Sequence, residues 1–178
     1  PVQLRCRMLV LCTGYYRYEA GYTPDFTGRE RFTGTFIHPQ HWPQELDYTG
    51  KRIVVIGSGA TAATLIPSLA PDAGHVTMLQ RSPTYIASIP SVDFIYEKMR
   101  KVLPEDMAYK LTRARNIGMQ RAIYAAARKQ PQLLRKFLLH SIKSQLKGKV
   151  DMKHFTPEYN PWDQRLCVVP DADLFDAI

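Results

Sequence analysis

An α/β chain with a partial parallel sheet and a helical insertion is what the sequence predicts, on three observations. Ile53-Val54-Val55-Ile56 is a β-branched run of strand length that opens into Gly57-Ser58-Gly59-Ala60-Thr61-Ala62, after which residues to Leu69 have helical composition. His75 to Gln80 is a second apolar strand one helix further on, so strand, helix and strand follow in the order that a parallel pair needs. Residues 92–102, 105–129 and 131–147 then show helical spacing, punctuated by Pro104 and Pro131 where helices begin or break.

The turn after the first strand carries chemistry. Glycine at 57 allows a tight turn, and glycine at 59 lets the backbone approach a pyrophosphate. Ala62 stands at the third position of the glycine pattern, where helix and strand pack closely. Through Ser58, Ala60 and Thr61 the start of the helix offers free N–H groups to phosphates. This is a Rossmann-like dinucleotide turn, although a Gly-rich turn of this kind also occurs in sheets that bind nothing. An NAD site places a carboxylate about 20 residues on, at the end of the second strand, to bind the ribose 2′-OH. Here that strand ends in Gln80-Arg81-Ser82, without an acid. The guanidinium of Arg81 and the hydroxyl of Ser82 suit a 2′-phosphate, so NADP is the expected cofactor. The plainer alternative makes Arg81 a solvated residue after a strand.

Upstream of that turn, Phe32, Gly34, His38, Trp42 and Pro43 occupy the five fixed positions of the pattern F-x-G-x-x-x-H-x-x-x-W-P. The stretch resembles the signature of the Baeyer–Villiger monooxygenases, which are NADPH-dependent, FAD-containing class B flavoprotein monooxygenases. The wording His38-Pro-Gln-His-Trp-Pro, Gln80-Arg-Ser-Pro-Thr-Tyr and Tyr159-Asn-Pro-Trp-Asp-Gln-Arg-Leu-Cys is most similar to their mycobacterial ethionamide-activating type. The resemblance implies a flavin that, once reduced by NADPH, activates O2 for attack on a ketone carbonyl or a sulfur atom. It also implies an active-site arginine that stabilises the negative charge developing on oxygen, as preorganised donors do elsewhere. Arg165 stands at the place of the family's Lys-Arg pair and is the candidate for that arginine. Gln164 replaces the lysine that helps to hold the 2′-phosphate in many members, which weakens the NADP preference without removing it. Read without the family, Arg165 is one cation beside an apolar run, with a structural or surface role.

By the same resemblance Phe32, Gly34, His38, Trp42 and Pro43 belong to a linker between the FAD and NADP domains, with a structural and gating role. Nothing near His38 and His41 supplies further ligands, so no metal site is expected. The implied organisation is the end of an FAD-binding domain over residues 1–25, the linker over 26–51 and an NADP-binding core over 52–90. A basic helical insertion over 91–153 and a return to an incomplete NADP domain over 154–178 follow. The family's FAD-binding Gly-x-Gly-x-x-Gly turn is not found in the sequence, Leu4 to Leu11 reads as a strand leading into Cys12-Thr13-Gly14, and Asp171 to Ile178 reads as the capped start of a helix. These features suggest an internal segment of a longer enzyme, with apolar surface left open and a tendency to self-associate or to bind a complementary fragment. Alone, such a segment is expected to bind NADPH weakly and to oxygenate nothing.

Composition limits the rest. Hydrophobic residues at 45% and charged residues at 22% are ordinary for a globular protein, and no 18-residue apolar run suggests a membrane span. Cys6, Cys12 and Cys167 are odd in number and lack metal spacing, which suggests buried thiols in a reducing cytoplasm. The net charge of +8 is concentrated: Glu97 to Lys153 carries 15 of the 24 lysines and arginines against four acids. Basic amphipathic helices can lie on an anionic membrane or bind nucleic acid. They also serve as a solvated face over a core stripe, here Leu111, Ile117 and Tyr124, and no nucleic acid is expected as a partner. Leu133, Leu134, Phe137, Leu138 and Ile142 would then form a hydrophobic wall suited to lipid-like or aromatic substrates. His154 to Leu166, rich in Pro, Tyr and Trp, reads as an ordered loop whose Tyr159 and Trp162 support Arg165 or merely fill a gap. The resulting expectation is a segment of an NADPH-dependent flavoprotein monooxygenase acting on a hydrophobic ketone or sulfur compound with O2. The alternative is a nucleotide-binding or interaction module without catalysis of its own.

Overall fold

A computed structural model describes residues 3, 5–14 and 17–178. The chain divides into two compact units, Pro1–Asp47 and Tyr48–Ile178.

In the second unit β1 (Arg52–Ile56) pairs in parallel with β2 (His75–Leu79), from Arg52 opposite His75 to Ile56 opposite Leu79. The crossover is α1 (Ala60–Leu69), which gives the strand–helix–strand unit that the sequence predicts. A second parallel pair joins β3 (Tyr85–Ile89) to β4 (Leu166–Pro170), with Tyr85 opposite Leu166 and Ile89 opposite Pro170. The helices α2 (Phe94–Met99), α3 (Glu105–Lys129) and α4 (Pro131–Leu146), followed by a 3-10 turn at Met152–Phe155, all lie in the connection between β3 and β4. The helical insertion is therefore itself the crossover of a parallel pair. In this unit sequence reading located two strands; among the described residues the structure has four, in two separate two-stranded sheets.

One core joins these elements. Ala63 and Ile66 of α1, Ile86 of β3, Ile142 and Leu146 of α4, Phe155, Val169 of β4, and Leu174 and Phe175 of α5 (Asp173–Ala177) form a single buried cluster. Val55, Val76 and Met78 line the inner face of β1 and β2 against it. The alternate residues Val54, Ile56 and Leu79 are 60%, 55% and 54% exposed, so the opposite face stays open. A parallel sheet normally has both faces covered, and the open apolar face is what the sequence led one to expect.

The insertion departs from expectation in two places. Leu111, Ile117 and Tyr124 do not form a buried stripe: they are exposed, and α3 buries only Ala108 and Ala127. The wall on α4 also splits. Leu138, Ile142 and Leu146 follow at four-residue spacing and enter the core, Leu134 is half-buried, and Leu133 and Phe137 point away at 65% and 66% exposure. The physical reason is helical geometry, since residues 133 and 137 fall on the side opposite 142.

Ends and caps also differ from the sequence reading. Among the described residues no strand forms between Arg5 and Thr13, and Leu4 lies outside them. Met8 to Leu11 are 69–77% exposed, because strand formation needs a ladder partner and none pairs there. Cys6 and Cys12 are likewise exposed rather than buried, and Cys167 is half-buried. Asp171 does not cap α5. Ala172 precedes that helix in a left-handed conformation with no side-chain cap, while the Asp171 carboxylate accepts from the Ser91 amide at 3.0 Å.

At α2 the cap is made by Asp93, whose Oδ1 accepts from the amides of Ile95 and Tyr96, both at 3.1 Å, while Oδ2 pairs with Arg115 of α3. The Tyr96 amide first, and then Arg115, hold the Asp93 carboxyl below the usual carboxylate range. Its contribution to stability is thus complete above the unfolded-state pKa of about 3.9 and is lost as pH falls through the lower, folded value. Asp93→Asn is expected to lower the melting temperature at neutral pH and to flatten its decline below about pH 4, which thermal melts across pH would show.

Candidate functional site

The site is built where β1 ends. Gly57 has φ +136 with open space where a side chain would stand, a conformation that L residues rarely adopt. Its amide donates to the Leu79 carbonyl at 2.8 Å, which ties the turn to the end of β2. Ser58 is buried, and Gly59 is extended at the start of α1 without a side-chain cap. The first intrahelical bond runs from the Ala63 amide to the Gly59 carbonyl at 3.0 Å. The amides of Ala60, Thr61 and Ala62 precede that bond and so have no partner within the helix, at the end where its dipole favours an anion. These features fit a pyrophosphate.

Arg165 is brought to this turn from a distant part of the sequence. A side-chain carbon added at Gly59 would lie 3.7 Å from Nη1 of Arg165. Beside it, Cys167 Sγ is 3.9 Å from the Ser58 carbonyl. Arg81 and Ser82 are exposed and begin two residues after the last residue of β2, Leu79, whose carbonyl holds Gly57. Gln80, which separates them from the strand, donates through Nε2 to the His154 carbonyl at 2.6 Å. Among the described residues no carboxylate pairs with Arg81 or Arg165, so both cations are open to an anionic ligand.

The backbone of Arg165 is held by residues that the sequence did not single out. Thr84 directly precedes β3, Tyr85 opens it opposite Leu166, and the two are 1% and 0% exposed. Thr84, Tyr85 and Arg135 form a hydrogen-bonded group with Tyr159 around the Arg165 carbonyl. Burial raises the Tyr85 hydroxyl above its ordinary pKa and the nearby Arg135 charge opposes this in part, so the phenol remains a donor near neutral pH. Tyr159 supports Arg165 as the loop reading suggested. Trp162 does not: it is exposed, has φ +72, and stacks edge-on against Tyr124 at 6.0 Å.

The linker motif lies in the first unit. His38 starts a 3-10 turn, Pro39–His41, and its Nδ1 accepts from the Gln40 amide at 3.2 Å. The Gln40 side chain donates to the carbonyls of Arg17 and Tyr18, each at 2.9 Å. Gly34 leaves room for the Phe32 ring, and Gly21 for the His38 ring, where any side chain would collide. Trp42 is 38% exposed and Pro43 follows it directly. Among the described residues no group of three His, Cys, Asp or Glu side chains could hold a metal ion, and no helix is long and apolar enough to cross a membrane.

A family model for flavin-binding monooxygenase-like proteins matches residues 6–156. The chain belongs to that family. A protein of Acinetobacter baylyi named "Probable FAD-binding monooxygenase AlmA" is 73% identical over 96% of the chain and 34% of its own length. The FAD-containing monooxygenase EthA of Mycobacterium tuberculosis is 58% identical over 98% of the chain and 36% of its own length. The chain thus spans about a third of the length of these curated relatives. Among solved structures, the complex of OTEMO with FAD and NADP superposes on 93% of the chain and 38% of its own, with a TM-score of 0.67 at 19% identity. An oxidized steroid monooxygenase bound to NADP superposes on 89% of the chain and 37% of its own, with a TM-score of 0.60 at 22% identity. At such identities the fold is what is shared. The flavoprotein monooxygenase family expected from the sequence is borne out.

Proposed function

We propose that this chain supplies the NADPH-binding part of an FAD-containing monooxygenase that transfers one oxygen atom of O2 to a hydrophobic ketone or to the sulfur of a thioether or thioamide. The observation that carries this reading is the Arg165 guanidinium beside Gly59, a cation placed at an anion-binding turn from the far side of the helical insertion.

In this reading Gly57, Ser58, Gly59, Ala60, Thr61 and Ala62 cradle the pyrophosphate, and Arg81 with Ser82 binds the 2′-phosphate. Phe32, Gly34, His38, Trp42 and Pro43 link this part to the flavin-binding part and gate cofactor movement. Bound FAD would supply reduction by NADPH and activation of O2. Arg165 meets the negative charge of the cofactors, and its exposure leaves the guanidinium free to turn toward charge that develops during oxygen transfer. The proposed divisions remain residues 1–25, 26–51, 52–90, 91–153 and 154–178.

Two substitutions test the assignment. Arg81→Ala should weaken NADPH roughly tenfold to a hundredfold and leave NADH unchanged, the loss expected for a charge-assisted contact; an undiminished preference in paired titrations would place the phosphate contact elsewhere. In the flavin-loaded enzyme at saturating NADPH, Arg165→Ala should keep flavin reduction while product formation falls roughly 10²–10³-fold. Stopped-flow reduction and product assays separate the two, and retained product would remove Arg165 from oxygen transfer.

A further inference from the structure

Arg165 has a long, exposed side chain, yet its guanidinium lies over Gly59, so something must fix the backbone from which it springs. The β3–β4 ladder begins one residue later, at Leu166. The Arg165 carbonyl instead accepts from the Tyr159 hydroxyl at 2.8 Å and lies 3.3 Å from Thr84 Oγ1, with the two hydroxyl oxygens 2.9 Å apart. One level further back, the Tyr159 carbonyl accepts from the Tyr85 hydroxyl at 2.7 Å and from Arg135 Nη1 at 3.1 Å. Arg135 also donates to the Tyr85 oxygen at 2.8 Å, and the Tyr85 and Tyr159 rings meet edge-on at 5.4 Å.

We propose that Tyr159, seated by Thr84, Tyr85 and Arg135, is a positioning residue that sets where the Arg165 guanidinium meets the cofactor at the glycine turn. Ring packing alone would be served by phenylalanine at 159; the hydroxyl is committed to one carbonyl, that of Arg165. With Tyr159 donating to the Arg165 carbonyl, the Thr84 hydroxyl can donate to the Tyr159 oxygen, so each hydroxyl proton has one acceptor and the network is rigid rather than costly. Arg135 belongs to α4 and lies on the same side of the helix as Leu138, Ile142 and Leu146, which anchor it in the core. The brace therefore couples the seating of the helical insertion to nucleotide binding. It rests on the reading of Gly57 to Ala62 as the NADPH site.

The test is a double-mutant cycle read by NADP+ titration of the protein, with Tyr159→Phe, Arg165→Ala and the two combined. Tyr159→Phe keeps the ring and is expected to weaken NADP+ roughly threefold to tenfold, the range for one lost hydrogen bond. It should have no further effect once Arg165 is Ala, because it acts through that residue. Tyr85→Phe, which frees the Tyr159 carbonyl from one donor, is expected to behave alike and serves if the first variant does not fold. Equal losses in both Arg165 backgrounds would mean a merely structural role and overturn the proposal. So would an unchanged affinity in Tyr159→Phe when Arg165→Ala binds weakly. Failure of the unaltered protein to bind NADP+ would instead overturn the dinucleotide reading, and the brace with it.

Discussion

The parallel pairing of β3 with β4 closes a loop that contains the whole helical insertion, and the ladder that does so is only five residues long on each strand. Closing a long loop costs entropy, although the cost grows slowly with length. Burial offsets it here: Ile86 and Val169 from the two strands enter the same core as Ile142 and Leu146 of α4, so the insertion helps to fasten the strands it separates. Without that pairing Arg165 would have no reason to stand at Gly59. The candidate site thus depends on a long-range ladder, while the glycine turn itself is a local product of β1, α1 and β2.

The two ends of the insertion serve different purposes. α4 divides cleanly into a core side and an outward side, and its Arg135 reaches back to the loop that carries Arg165. α3 is held near its middle through the Asp93–Arg115 pair and at its end through Arg128 with Asp163 at 2.7 Å, yet it buries very little. Together with the open face of Val54, Ile56 and Leu79, it gives this unit more exposed apolar surface than a parallel sheet usually shows.

Local signals carried much of this into the sequence. β1, the glycine turn, α1 and β2 were legible because strand run, turn glycines and helix follow one another directly. The three helices were legible because Pro104 and Pro131 mark their limits. The strands β3 and β4 were not, since each is five residues long, lies close to prolines, and exists through a partner far along the chain. For the same reason Arg165 could be named from a motif while Thr84, Tyr85 and Arg135 could not. No local pattern says that a threonine before a strand, a buried tyrosine and a helix arginine converge on one carbonyl. The strand expected from Leu4 to Leu11 failed on the same point from the other side: apolar residues make a strand only where a ladder partner exists. The wall on α4 failed because composition does not report helical phase, which separates Leu133 and Phe137 from Ile142.

Amide hydrogen exchange with and without NADP+ tests the central claim, that Arg165 and the glycine turn form one cofactor site, most directly. The account predicts slowed exchange at residues 59–63 and, in the same experiment, at residues 165–167, with little change along α3. Slowed exchange confined to the helical insertion, or at the turn without any response around Arg165, would contradict it.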